Sequence, residues 1–171
     1  MFNSASIQEI KKELETRSPK EVLAYCLRLA KYKKDSKEFL SYLLFESADP
    51  SLFSGKVKSE IDEMFSTLRA EKNLYFTKKS LRKILRIVTR YSRYTSNDAL
   101  TVEWLIYFCN ALNESGIPYY DSQILVNMYQ GQLKKIRKLV DGMHEDVQQD
   151  YREDLEKLEN IKKPKKSLFK L

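Results

Sequence analysis

Helix-start signals recur along this chain with little to interrupt them, and that pairing restricts the fold more than any other feature. Ser6 with Glu9 forms a capping-box pattern, and Ser18-Pro19-Lys20-Glu21 repeats it with proline at the first helical position. In each, the serine hydroxyl can accept from the backbone N–H three residues on while the glutamate reaches back to the serine N–H. Asp35 with Glu38 and Asp49-Pro50 mark two further starts. Glycine and proline number four each in 171 residues, far below what an all-β or loop-rich chain uses. An all-α fold is the expectation.

The apolar period places the helices between these signals. A short first helix runs to about residue 15. A second runs from the Ser18 cap to about Lys33, buried through Val22, Leu23, Cys26, Leu27 and Ala30. The third spans about Asp35 to Ala48, and the fourth runs to about Ala70 on Phe53, Val57, Ile61, Met64, Phe65 and Leu68. A fifth covers about 78–94, with Thr77 as cap and Thr95-Ser96-Asn97 as turn, and a sixth runs from Asp98 to Glu114. Gly116-Ile117-Pro118 breaks the sixth, and a long helical stretch follows from about Asp121, with a break near Gly142.

Two of these helices are apolar almost all round: the third (Phe39, Leu40, Tyr42, Leu43, Leu44, Phe45) and the sixth (Val102 to Leu112). Helices of that kind are buried on most sides, so both are expected at the centre, wrapped by amphipathic neighbours. Short connections imply antiparallel hairpins. The architecture expected is a single all-helical domain over 1–163, a compact array of about seven or eight helices. HEAT-like hairpins and an irregular orthogonal bundle are the two alternatives; hairpins beginning near 18, 49 and 97 show no regular repeat. Pro164 ends the order, and the basic tail 164–171 is expected to be mobile.

Charge is segregated. Lys72, Lys78, Lys79, Arg82, Lys83, Arg86, Arg90 and Arg93 lie between residues 72 and 97 with no acid among them. From Lys79 to Arg93, six of these fall within an arc of about 100° on the fifth helix. Lys162, Lys163, Lys165, Lys166 and Lys170 make the tail basic as well. Against them, residues 143–160 carry seven acids and two cations. A solvated helix face usually interleaves Glu with Lys, and the fifth helix does not. Three readings follow: a bare solvated face, an internal pairing with the acidic segment 143–160, or contact with an anionic partner. Nucleic acid is the partner that best suits arginine forks flanked by Tyr75, Phe76 and Tyr94, which can stack on unpaired bases. An acidic protein is the other.

The one segment resembling a chemical site is His144-Glu145-Asp146 with Asp150, Tyr151 and Asp154. Asp146, Asp150 and Asp154 share a helix face, but the chain has no second histidine, and carboxylates alone would need help to hold a divalent cation. His144, Asp146 and Asp150 are therefore weak metal candidates beside a plain acidic face. Glu46 and Glu103 are lone acids on apolar helices, which more often reach an edge or pair with a nearby cation. Glycine-rich phosphate loops, GxSxG, CxxC, HExxH and dinucleotide fingerprints do not occur, so no catalytic residue and no cofactor is assigned.

No stretch approaches 18 apolar residues, the N-terminus lacks the basic-then-apolar order of a secretory signal, and Cys26 and Cys109 read as buried free thiols. A cytoplasmic protein without a membrane partner is the expectation. Residues 29–46, 78–94 and 143–151 together resemble a family of all-helical cytoplasmic proteins from Bacteroidetes-type bacteria that carries no assigned activity. The resemblance implies an intracellular helical protein and transfers no site residue. The functional expectation is a non-enzymatic binding module that presents Lys78, Lys79, Arg82, Lys83, Arg86, Arg90 and Arg93, with Tyr75 and Tyr94, to an anionic partner. Its alternatives are a protein-interaction scaffold whose basic face rests on its own segment 143–160, and an enzyme using carboxylates near His144.

Overall fold

The computed structural model describes residues 4–69 and 74–160, and these form helices in the order the punctuation implies. They are α1 (Ile7–Glu15), α2 (Pro19–Tyr32), α3 (Lys34–Phe45), α4 (Pro50–Arg69), α5 (Leu74–Thr95), α6 (Asp98–Glu114), α7 (Gln123–Val140) and α8 (Glu145–Glu159), with a 3-10 turn at Tyr119–Asp121. No strand occurs among the described residues, so the chain is an all-α helical array. Packing divides it into two compact units, one up to Ala48 and one from Asp49 onward. Lys72 and the tail 161–171, including the stop expected at Pro164, lie outside the described residues.

Local chemistry explains most of the boundaries. Both capping boxes form: Ser6 accepts from Glu9 N at 3.3 Å while Glu9 accepts from Ser6 N at 2.7 Å, and Ser18 with Glu21 does the same at 3.3 and 2.9 Å. Asp49 Oδ1 accepts from Leu52 N at 2.9 Å, and Asn97 Oδ1 from Leu100 N at 3.1 Å. Ser96 takes φ 46° and turns the chain out of α5, while Gly116 at φ 75° does so after α6. Two starts differ from expectation. α3 begins at Lys34 with no side-chain cap, so Asp35 sits inside its first turn rather than before it. α5 begins at Leu74, which leaves Thr77 as a buried residue within the helix and not its cap.

In the first unit, α2 and α3 pack against one another. Tyr42 is the one buried residue of α1–α3 among those described, and Leu43, Leu44 and Phe45 are exposed. The expectation that α3 is a central helix is therefore corrected, as is that of a burial stripe on Val22, Leu23, Cys26, Leu27 and Ala30. Two packed helices shield one seam between them and cannot enclose a helix that is apolar all round.

The second unit has the core that the first lacks. α6 buries Thr101, Val102, Trp104, Leu105, Ile106, Phe108, Cys109 and Leu112, and α4, α5, α7 and α8 all pack against it. Each neighbour contributes its own stripe: Phe53, Val57, Ile61, Phe65 and Leu68 from α4; Leu81, Ile84 and Val88 from α5; Leu125, Leu133 and Ile136 from α7; Leu158 from α8. A stacked solenoid brings each hairpin against its neighbours in line. Here four helices surround one, which is the irregular-bundle arrangement. Two of its buried polar groups pair within it: Trp104 Nε1 donates to Ser54 Oγ at 2.9 Å, and Tyr129 Oη donates to the Leu158 carbonyl at 3.0 Å.

Candidate functional site

Packing on α4 and α6 decides which face of α5 remains outside. Leu81, Ile84 and Val88 point into the core, and the opposite side carries Lys79, Arg82, Lys83, Arg86 and Arg93, all exposed, with Lys78 half-buried beside them. A groove of about 610 Å³ runs along one flank of this face, lined by Tyr75, Lys78, Lys79, Arg82, Leu85, Arg86 and Thr89. Leu85 and Thr89 were not among the residues expected from sequence. They follow the same i, i+3, i+4 track as Arg82 and Arg86, so the signal was present but carried no charge to draw attention.

The cations are not equivalent. Arg90 is half-buried, its guanidinium 5.0 Å from the centre of the Tyr91 ring. The Tyr91 phenol donates to Glu60 Oε2 of α4 at 2.7 Å, and burial together with this bond pushes its pKa up to about 12. Arg90 thus belongs to a packed cluster between α4 and α5. Tyr94 is half-buried as well, its ring T-shaped to Tyr91 at 5.9 Å, in a chain of rings that continues through Phe53 to Trp104. Lys83 lies on the α4 side of the face, in a smaller groove with Met64, Thr67, Leu68 and Ser80. By contrast Tyr75 and Phe76 are 68% and 49% exposed, their rings T-shaped at 5.5 Å.

The face does not rest on the acidic helix. α8 packs on α7 and α6, and Glu159 pairs with Arg137 of α7. Its other ion pairs are local, from Lys157 to Glu153 at 3.8 Å and to Asp154 at 3.5 Å. Among the described residues, none of Lys78, Lys79, Arg82, Lys83, Arg86 and Arg93 has a carboxylate within salt-bridge distance. The internal neutralisation expected as one alternative is absent among them: α5 packs on α4 and α6, whereas α8 packs on α7 and α6.

His144 has a structural task. It is the N-cap of α8, its Nδ1 accepting from Asp146 N at 3.4 Å, and both side chains are exposed. No group of three or more His, Cys, Asp or Glu among the described residues is placed to hold a metal ion, so His144, Asp146 and Asp150 do not assemble into a centre. Glu103 pairs with Lys58 and accepts from Ser54 Oγ at 3.2 Å, tying α6 to α4. Cys109 is buried and its thiol is pushed up to about 12, which keeps it protonated and poorly nucleophilic; Cys26 is half-buried. Among the described residues no helix is long and apolar enough to cross a membrane.

No protein-family model, curated protein or solved structure matches this chain, so those comparisons do not bear on the resemblance carried by residues 29–46, 78–94 and 143–151.

Proposed function

We propose that this protein is a binding module that uses the outer face of α5 to hold the phosphate backbone of nucleic acid. One observation carries the reading: Lys79, Arg82, Arg86 and Arg93 stand exposed on one face with no carboxylate partner among the described residues. Cations held at helical spacing on a packed helix present a fixed row of donors, and guanidinium forks match phosphate oxygens. Such contacts position a strand without reading its sequence. The free thiols at Cys26 and Cys109 support a reducing compartment, the cytoplasm, as its place.

Fluorescence anisotropy with labelled RNA and DNA at two salt concentrations tests this. Binding should weaken with salt at a log–log slope of about −3 to −4, as four or five neutralised phosphates require. The triple variant Lys79→Glu, Arg82→Glu, Arg86→Glu should abolish binding and leave the melting temperature in place, because all three side chains are exposed. Unchanged affinity in that variant would overturn the proposal.

A second reading rests on the first unit. Leu29, Leu44 and Phe45 are more than 60% exposed on helices that have little core of their own, which suits a docking element for another protein. Leu44→Asp with Phe45→Asp should then raise solubility and suppress association in sedimentation runs. Identical sedimentation of the variant and the parent would remove this reading.

A further inference from the structure

Resting on the phosphate-binding reading, we infer that the ligand of this face is a single strand, with a base stacked on Tyr75. The geometry of α5 separates its outer residues into two tracks. At about 100° per residue, Tyr75, Lys79, Arg82, Arg86 and Arg93 fall within an arc of about 60°. Lys83, Arg90 and Tyr94 lean toward α4, where Arg90 and Tyr94 are engaged with Tyr91. The outer track therefore combines one aromatic ring with four cations, and from Tyr75 to Arg86 it extends about 16 Å along the axis.

Tyr75 lies at the N-terminal end of that track and lines the same groove as Lys79, Arg82 and Arg86. Its ring is 68% exposed and is held on one side by the T-shaped contact with Phe76 at 5.5 Å. The ring thus stands open to solvent at the end of a cationic groove. It is the element that distinguishes a single-strand site from a plain electrostatic one. A duplex keeps its bases stacked inside and offers this face only its phosphates, whereas an unpaired base presents a π surface at no unstacking cost. Stacking of this kind is tolerant of sequence, so the groove holds any short unpaired stretch, with its backbone on the lysine and arginines.

Three probes separate this inference from the reading beneath it: a short labelled oligothymidylate, an abasic strand with the same number of phosphates, and a duplex of equal length. The parent protein should prefer the oligothymidylate over both. Tyr75→Ala should weaken oligothymidylate binding by about tenfold and bring it level with the abasic strand, whose own affinity stays as it was. Tyr75→Phe should keep the preference, since the ring and not the hydroxyl stacks. Equal binding of the three probes by the parent, or a preference that survives Tyr75→Ala, would overturn the single-strand assignment and leave phosphate binding standing. Failure of every probe to bind at low salt would remove both.

Discussion

α3 and α6 each carry a long apolar run, Phe39 to Phe45 in one and Leu100 to Leu112 in the other, yet their surroundings are opposite. α6 has helices on all sides and buries Trp104, Leu105, Phe108 and Cys109 completely or nearly so. α3 has α2 along one seam and leaves Leu44 and Phe45 at 64% and 76% exposure. Apolar character is a demand for cover, and whether the demand is met depends on how many neighbours the chain brings to that helix. The first unit supplies too few, which makes it the less stable of the two by construction.

Core truncation should break this symmetry most sharply. Trp104→Ala is expected to cost about 3–5 kcal/mol, since it opens a cavity at the centre and leaves Ser54 without its donor. Phe45→Ala should change stability by no more than about 0.5 kcal/mol. Urea titrations of the two variants against the parent measure both. A comparable loss at Phe45 would mean that α3 is covered after all.

Alkaline titration distinguishes the units next. Burial, with the Glu60 bond at Tyr91, pushes the phenols of Tyr91 and Tyr129 in the second unit up to about 12. A phenol whose folded pKa is raised stabilises the fold fully below its ordinary value of 10. That contribution is lost as the pH climbs from there toward 12. Absorbance of tyrosinate should therefore lag for these two side chains, and the second unit should melt at lower temperature across that window. Ionisation of every tyrosine at the ordinary value would contradict their burial.

The smallest effect belongs to the first unit and has the opposite sign. The backbone and side-chain bonds from Ser6 hold Glu9 below the usual carboxylate value of 4.5, and those from Ser18, its hydroxyl first, do the same for Glu21. Depressed carboxyls stabilise above their unfolded pKa and lose that contribution as the pH falls through the lower, folded value. Circular dichroism should report a modest loss of helix from α1 and α2 in mild acid. Glu21→Gln should remove its share of that pH dependence, and a profile unchanged by the substitution would show that the capping box does not form in solution.

Most of the helix boundaries could be read from short-range chemistry. Ser6, Ser18, Asp49 and Asn97 act through hydrogen bonds to residues three positions away, a distance that the sequence itself specifies. Thr77 misled because a cap requires the chain to be non-helical before it, and α5 already begins at Leu74. His144 directly precedes the first turn of α8 and caps it, a role that its residue type does not signal because imidazole seldom serves as a cap. On the candidate site, periodicity placed Lys79, Arg82, Arg86 and Arg93 on one face without any tertiary information. It could not separate Arg90 and Tyr94 from them, since their partners Tyr91 and Glu60 are brought together by the packing of α4 on α5.

By itself, then, the sequence determined that this chain is helical, where most helices start and stop, and that α5 carries a basic face. Those properties arise from interactions within one or two turns, which every copy of the segment makes wherever it lies. Tertiary structure alone decided that α6 and not α3 is enclosed, that α8 neutralises part of its charge on Arg137 rather than on α5, and that Tyr75 shares a groove with Arg82 and Arg86. Burial and long-range pairing depend on which surfaces meet, and a linear pattern records what each surface requires without naming its neighbour.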